Sequence, residues 1–344
     1  VICLDIDKKK VENLDSGIIP IFEPGLEKII KHSVKNSYLA FSSNIEDSII
    51  SADIIFIAVG TPMKKDGSAN LSYIYAASKS IGQYINGYKI IITKSTIPVG
   101  STSEVKSIIK DEIKSRKSNI NFDICNNPEF LKEGNAVEDF MSPDRIIVGF
   151  ENDRIKPLLK TLYAPFSVND QKLIFMDIAS SELTKYASNA MLATKISFMN
   201  EMANISECVG ADINKVRIGI GSDSRIGYSF IYPSIGYGGS CFPKDIRSIV
   251  SFSNNNGYNP EILNAVDKVN QYQKKYFFSK LFNRFKSSND DLKGIKFGIW
   301  GLSFKPGTDD MRESASIYFI KNILNLGGTV AVYDPKSLEN AKKN

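Results

Sequence analysis

Asp53-Ile54-Ile55-Phe56-Ile57-Ala58-Val59-Gly60-Thr61-Pro62 is the stretch on which the reading of the fold turns. An apolar run bounded by glycine and proline has the length and composition of a buried parallel strand. The loop that closes it lies where doubly wound sheets bind ligands, outside the carboxyl end of a strand. The same grammar recurs downstream. The run 88–93 ends in Lys94-Ser95-Thr96-Ile97-Pro98-Val99-Gly100, and the run 122–125 ends in Asn126-Asn127-Pro128-Glu129-Phe130-Leu131-Lys132-Glu133-Gly134. Shorter strand-like runs follow at 145–149 and 172–175, with a short helix expected at 26–31 and an amphipathic one at 71–85. Strand, polar loop and helix in repetition predict an α/β fold with a sheet of mainly parallel strands. Three successive strand ends then bring hydroxyl, proline and carboxylate residues to one crevice.

Upstream, Val1-Ile2-Cys3-Leu4 is an apolar strand closed by Asp5, with Lys10 a helical turn further on. A dinucleotide-binding unit places an acid there for the adenosine ribose, but the glycine loop that should precede it is absent. The chain opens inside a strand and without Met, and it stops soon after Asp334 with a polar tail, so both ends read as truncated. Downstream the pattern changes. Residues 182–210 lack proline and glycine until Gly210, and Leu183, Ala187, Ala190, Met191, Phe198 and Met202 recur at helical spacings, which predicts one long helix. Lys185 and Asn189 share a face of it. Helical segments are expected at 212–218 and 260–286. A second α/β unit begins at 296–301, with a helix at 317–326 and a strand at 329–333 closed by Asp334, an echo of the strand closed by Asp5. The expected architecture is two Rossmann-like doubly wound domains, 1–179 and 288–344, flanking an all-helical domain, 180–287.

One further stretch carries chemistry: Gly236-Tyr237-Gly238-Gly239-Ser240-Cys241-Phe242-Pro243-Lys244-Asp245. Its glycines permit close approach of the backbone to a ligand and lead to a thiol. Pro243 is expected to end local regularity. A cysteine beside a cation such as Lys244 has a route to the thiolate, the nucleophilic form.

Composition narrows the function classes. At 344 residues the chain suggests two or three domains. The 42% hydrophobic and 24% charged content is that of a soluble globular protein. A net charge of +5 without a basic block argues against nucleic acid and is compatible with an anionic small molecule. The four cysteines lack metal-ligand spacing, so neither a disulfide framework nor a zinc site is expected. The single histidine, His32, reads as a surface residue, which leaves no material for Ser-His or His-metal catalysis. With no apolar run of membrane length and no signal peptide, a cytoplasmic protein is expected.

The motifs together resemble the UDP-glucose/GDP-mannose dehydrogenase family, and within it the UDP-glucose branch. They are Val59-Gly60-Thr61-Pro62, Ser95-Thr96-Ile97-Pro98-Val99-Gly100, Asn127-Pro128-Glu129-Phe130-Leu131 with Glu133-Gly134, Glu182-Leu183-x-Lys185 with Asn189, Gly221-Ser222-Asp223-x-Arg225-Ile226-Gly227, the Cys241 loop, and Phe304-Lys305-Pro306 with Thr308-Asp309-Asp310 and Arg312-Glu313. The resemblance implies oxidation of a sugar-nucleotide alcohol to the carboxylate with two NAD reduced in turn. It assigns the covalent steps to Cys241, oxyanion stabilisation to Lys185, and the reacting oxygen or a water to Asn189 and Thr96. Asp245 orients that water, and Glu129 is the base for thioester hydrolysis. Phe130, Leu131, Lys132, Phe230, Tyr237, Gly238 and Lys305, with Lys185 and Asn189, are implied along the UDP-glucose site, and Arg225 at the partner subunit's site in a homodimer. Asp5, Lys10, Thr61, Thr96, Glu133, Lys244 and Arg312 are implied at NAD. The missing glycine loop predicts weak NAD binding by the chain as given. The alternatives are a sister dehydrogenase for UDP-N-acetylhexosamine or GDP-mannose, and a non-catalytic homologue; the joint presence of Cys241, Lys185, Asn189, Asp245 and Glu129 argues against the latter.

Overall fold

The isoleucine run that precedes Lys94 is buried at every position, and the larger sheet is built around it. In the computed structural model, which describes residues 1–167 and 171–343, the chain forms two units. One comprises residues 1–64 and 69–185, the other residues 65–68 and the chain from 186 onward. In the first unit β1 (Ile2–Leu4) and β2 (Ala40–Ser42) pair in parallel as a sheet of two strands. Strands β3 (Ile54–Ile57), β4 (Lys89–Thr93), β5 (Phe122–Asn126), β6 (Ile146–Phe150) and β7 (Leu173–Met176) form a second sheet in that order. Every pair is parallel except β5 with β6.

The sheet is mainly parallel, as expected, and one detail differs from the sequence reading: β3, expected to be buried, is an edge strand with Phe56 42% exposed. Its uniform apolarity hid this, because β1 and β2 pair with each other rather than beside it. The alignment that matters for function is the register Ile57↔Thr93↔Asn126, which brings the ends of β3, β4 and β5 to one edge. Helices Ser72–Tyr84 and Ser101–Ser115 cover one face through Ile74, Ile81, Val105, Ile109 and Ile113. They approach closely at Gly82, where a Cβ would lie 2.5 Å from that of Glu112.

A single helix, Ile178–Val209, begins in the first unit and continues into the second. It stops at Gly210, whose φ of +72° suits glycine. Its faces are unusual for an amphipathic helix. Glu182, Lys185, Asn189, Ser197 and Asn200 are buried, whereas Leu183, Met191, Phe198, Ile205 and Val209 are exposed. The apolar periodicity that predicted the helix therefore marks, in large part, its outward face.

The second unit continues with helices Ile213–Gly221, Phe242–Asn255 and Glu261–Phe285. The parallel pair β8 (Lys296–Trp300) and β9 (Thr329–Tyr333) follows, with helix Ala315–Asn325 between them in sequence. Pro243 does not end regularity. It sits in the first turn of Phe242–Asn255, where its missing N–H costs no helical hydrogen bond and its fixed φ favours initiation.

The echo of Asp5 in Asp334 holds in position and fails in environment. Asp334 is buried and accepts backbone N–H bonds from Leu302 (2.8 Å), Ser303 (3.3 Å), Lys336 (2.8 Å) and Ser337 (2.8 Å). Burial alone would push its carboxyl up; the four N–H groups outweigh it and hold the group down at about 2. It ties the loop after β8 to the loop after β9.

Candidate active site

The sequence-predicted residues fall into two clusters, one in each unit. In the first, the end of β5 turns at Pro128 and presents Glu129. Glu129 Oε2 accepts the Leu131 N–H at 2.7 Å, and Oε1 lies 3.2 Å from Lys185 Nζ. The Lys185 side chain is only 4% exposed, so its ammonium has exchanged water for this carboxylate and for the Phe130 ring, whose centroid is 5.2 Å away. The preceding turn of the helix is anchored too. The buried Glu182 carboxylate accepts the backbone N–H groups of Gly100 (2.7 Å) and Thr102 (2.8 Å) at the start of helix Ser101–Ser115. Burial pushes its carboxyl up, and those hydrogen bonds oppose the rise. Glu182 thereby fixes Lys185 relative to the loop carrying Thr96. Thr61, at the end of β3, donates its hydroxyl to the Thr96 carbonyl at 2.9 Å, linking the loops after β3 and β4.

Next to this pair lies a cavity of about 270 Å³, lined by Lys94, Glu129, Phe130, Leu131, Lys132 and Arg145 among others. The Arg145 guanidinium stacks 4.1 Å from the centre of the Phe130 ring. Lys132 is engaged with Asp139 at 3.0 Å. Glu23, absent from the sequence-predicted set, accepts the N–H groups of Gly134 (2.7 Å) and Ala136 (2.8 Å), so it fixes the far end of the loop that carries Glu133.

In the second unit Cys241 is the residue before the first turn of Phe242–Asn255, and it is partly exposed. Ser240 Oγ lies 3.5 Å from its Sγ. The free N–H groups of a helix start favour a thiolate. The Lys244 ammonium contacts Asp245 Oδ1 at 2.5 Å. Asp245 is 1% exposed and its other oxygen accepts from Asn189 Nδ2 at 2.6 Å. The glycine loop is shaped by its own unit. Asn270 clamps the Tyr237 backbone from both sides, accepting its N–H at 2.7 Å and donating to its carbonyl at 3.1 Å. At Gly238 a Cβ would come within 2.5 Å of the Glu313 carbonyl, and Gly239 has φ +84°. Phe230, with φ +62°, and Tyr237 both meet the Phe242 ring edge-on, and the Lys305 ammonium lies 5.5 Å from the centre of the Phe304 ring. Arg225, 87% exposed, is bound to Asp223, and Arg312 to Asp310.

The comparisons fit this geometry. Residues 1–167 match the NAD binding domain of the UDP-glucose/GDP-mannose dehydrogenase family, residues 179–272 its central domain and residues 298–344 its UDP binding domain. The chain belongs to the UDP-glucose/GDP-mannose dehydrogenase family. It is 43% identical to a UDP-glucose 6-dehydrogenase of Pseudomonas aeruginosa over 97% of this chain and 73% of that protein. It is 42% identical to UDP-glucose 6-dehydrogenase TuaD of Bacillus subtilis over 99% of this chain and 72% of that protein. Among solved structures it resembles a UDP-glucose dehydrogenase from Pyrobaculum islandicum, with a TM-score of 0.92, 36% identity, and coverage of 100% of this chain and 78% of that one.

Asp5 closes β1, and its carboxylate meets Lys10 Nζ at 2.5 Å. Burial raises its carboxyl, but the Lys10 contact and the Asp7 and Ile6 N–H groups hold it below the usual range. A carboxylate kept ionised fits an acceptor for ribose hydroxyls. Among the described residues, no helix is long and apolar enough to cross a membrane.

Proposed function

We propose that this chain is an NAD-dependent dehydrogenase that converts UDP-glucose to UDP-glucuronate, with Cys241 as the nucleophile. The observation that carries the reading is the pairing of every expected catalytic charge. Lys185 faces Glu129, Asn189 faces Asp245, and Cys241 stands at the start of helix Phe242–Asn255, partly exposed. The names of the relatives support the choice of sugar nucleotide.

Bound NAD supplies the hydride acceptor, once for each of two oxidations. In the first, the sugar C6 alcohol gives its hydroxyl proton to the water that Asp245 orients, loses a hydride and becomes an aldehyde. The Cys241 thiolate then adds to the aldehyde carbon, forming a C–S bond and an alkoxide that the Lys185 ammonium stabilises. Loss of the second hydride from that carbon leaves a thioester on Cys241. Glu129 takes a proton from water, the resulting hydroxide attacks the thioester carbon, and the C–S bond breaks to regenerate the thiolate and give the carboxylic acid, which releases its proton to solvent as the carboxylate. Asn189, held by Asp245, and Thr96 orient the reacting oxygen. Asp5, Lys10, Thr61, Glu133, Lys244 and Arg312 serve the cofactor. Phe130, Leu131, Lys132, Phe230, Tyr237, Gly238 and Lys305 serve the sugar nucleotide.

The protein acts as a homodimer in this reading, with Arg225 serving the partner's site. Met191, Phe198 and Ile205 recur at heptad spacing on the exposed side of the long helix, and Val209 extends the stripe. A contiguous apolar stripe of this kind fits a helix in a homodimeric interface. NADH formation with UDP-glucose, UDP-N-acetylglucosamine and GDP-mannose, each supplied with NAD, tests the assignment. UDP-glucose is expected to give the highest kcat/KM, and a higher value with either other sugar nucleotide overturns it.

A further inference from the structure

Lys94 follows a fully buried strand, and a lysine at such a strand end ordinarily extends its ammonium into water. Here it turns inward. Its Nζ donates to Asn127 Oδ1 at 2.9 Å, and the Tyr163 hydroxyl donates to the same oxygen. The Asn127 amide donates to the Ile147 carbonyl at 2.7 Å, and its backbone N–H to the Thr93 carbonyl at 2.9 Å. Asn127 is thus pinned to β4, to β6 and to helix Lys156–Tyr163, and Glu129 follows it by two residues. Lys94 and Glu129 also line the same cavity.

We propose that Lys94 is a positioning residue for Glu129, fixing through Asn127 the turn that carries the carboxylate and adding a second positive charge beside that of Lys185. The inference rests on the reading of Glu129 as the base of the reaction. The other charges around the cavity are Lys132 and Asp139, which neutralise each other, Glu138 from the same helix as Asp139, and Asp144 and Arg145 before β6. Burial pushes the Lys94 amine down to about 8; Glu129 partly restores it and Lys185 lowers it further. Its charge therefore disappears as pH rises through about 8. A neutral Lys94 still donates to Asn127, so the turn stays in place while Glu129 loses one neighbouring cation.

The pH profile of kcat tests this in the parent, Lys94→Arg and Lys94→Gln proteins. The parent is expected to gain roughly two- to tenfold as pH passes through about 8, the scale of removing one neighbouring charge from a site of general acid–base chemistry. Lys94→Arg keeps the charge at every pH and is expected to lose that rise. Lys94→Gln carries no charge and is expected to lose it from the opposite side, with activity already near the upper level at neutral pH. A parent without the rise, or one that survives unchanged in Lys94→Arg, overturns the proposal; the arginine variant decides alone if the glutamine variant does not fold. A parent that forms no NADH from UDP-glucose removes the functional reading itself, whereas an active parent whose profile is indifferent to residue 94 removes only the role of Lys94.

Discussion

Asn189 donates its side-chain N–H to Asp245 at 2.6 Å, and both side chains are buried. The bond joins the long helix to the helix that starts beside Cys241, and Lys244 occupies the other carboxylate oxygen. Asp245 is thus a buried charge whose two oxygens are both engaged.

Replacing Asp245 by Asn removes the charge and forces one N–H to face a donor. In the proposed mechanism kcat is expected to fall by roughly 10²- to 10⁴-fold, the usual worth of a residue that positions a proton-transfer group. Steady-state NADH production checks this, with circular dichroism confirming the fold. Asp245→Ala is expected to cost stability as well, on the order of 3–5 kcal/mol, because it strands a partly buried ammonium.

Glu129→Gln leaves Lys185 without its carboxylate and the thioester without its base. A rapid burst of NADH is expected, followed by a steady rate lower by roughly 10²- to 10⁴-fold. Mass spectrometry of the quenched enzyme should then find Cys241 carrying the sugar nucleotide. A slow reaction with no burst and no adduct places Glu129 before the covalent step instead.

Asp334 makes a prediction about stability. Its folded-state carboxyl is depressed to about 2 against an ordinary value near 3.8, so its contribution is present above about pH 4 and is lost as pH falls toward 2. The shift corresponds to on the order of 2 kcal/mol. Urea unfolding of parent and Asp334→Asn is expected to differ by about that amount at neutral pH, and the difference is expected to shrink as pH falls from about 5 to about 2.

The exposed stripe on the long helix predicts association. Phe198→Glu is expected to convert a homodimer to a monomer at micromolar concentration, read by sedimentation velocity, without altering the circular dichroism spectrum. A parent that sediments as a monomer contradicts the assembly proposed for this face.

Much of the fold was legible because it was written in apolarity. The runs ending at Thr93 and near Asn126 became adjacent parallel strands, and their loops met at one edge. Apolarity alone did not reveal which strand is central, so β3 read as buried although Phe56 lies open. The long helix was legible for a reason that misdirects: Met191 and Phe198 gave it periodicity from the outer face, while its buried face mixes Glu182, Lys185, Asn189 and Asn200 with Tyr186, Ala190, Ala193 and Met199. Pro243 was misread because a proline after a cysteine marks a helix start as readily as a break. Asp334 resembled Asp5 because strand ends look alike in sequence, whereas four converging N–H groups exist only in the fold. Lys94 and Glu23 gave no signal, since a lysine or glutamate in a loop reads as solvated until the structure turns it inward.

The central claim is that Cys241 turns one alcohol oxidation into a four-electron reaction. Counting NADH formed per UDP-glucose consumed, in parent and Cys241→Ser protein, tests it most directly. The account predicts two NADH per UDP-glucose with UDP-glucuronate as product, and almost no sustained turnover in the serine variant. One NADH per sugar, or two in a fully active Cys241→Ser protein, contradicts it.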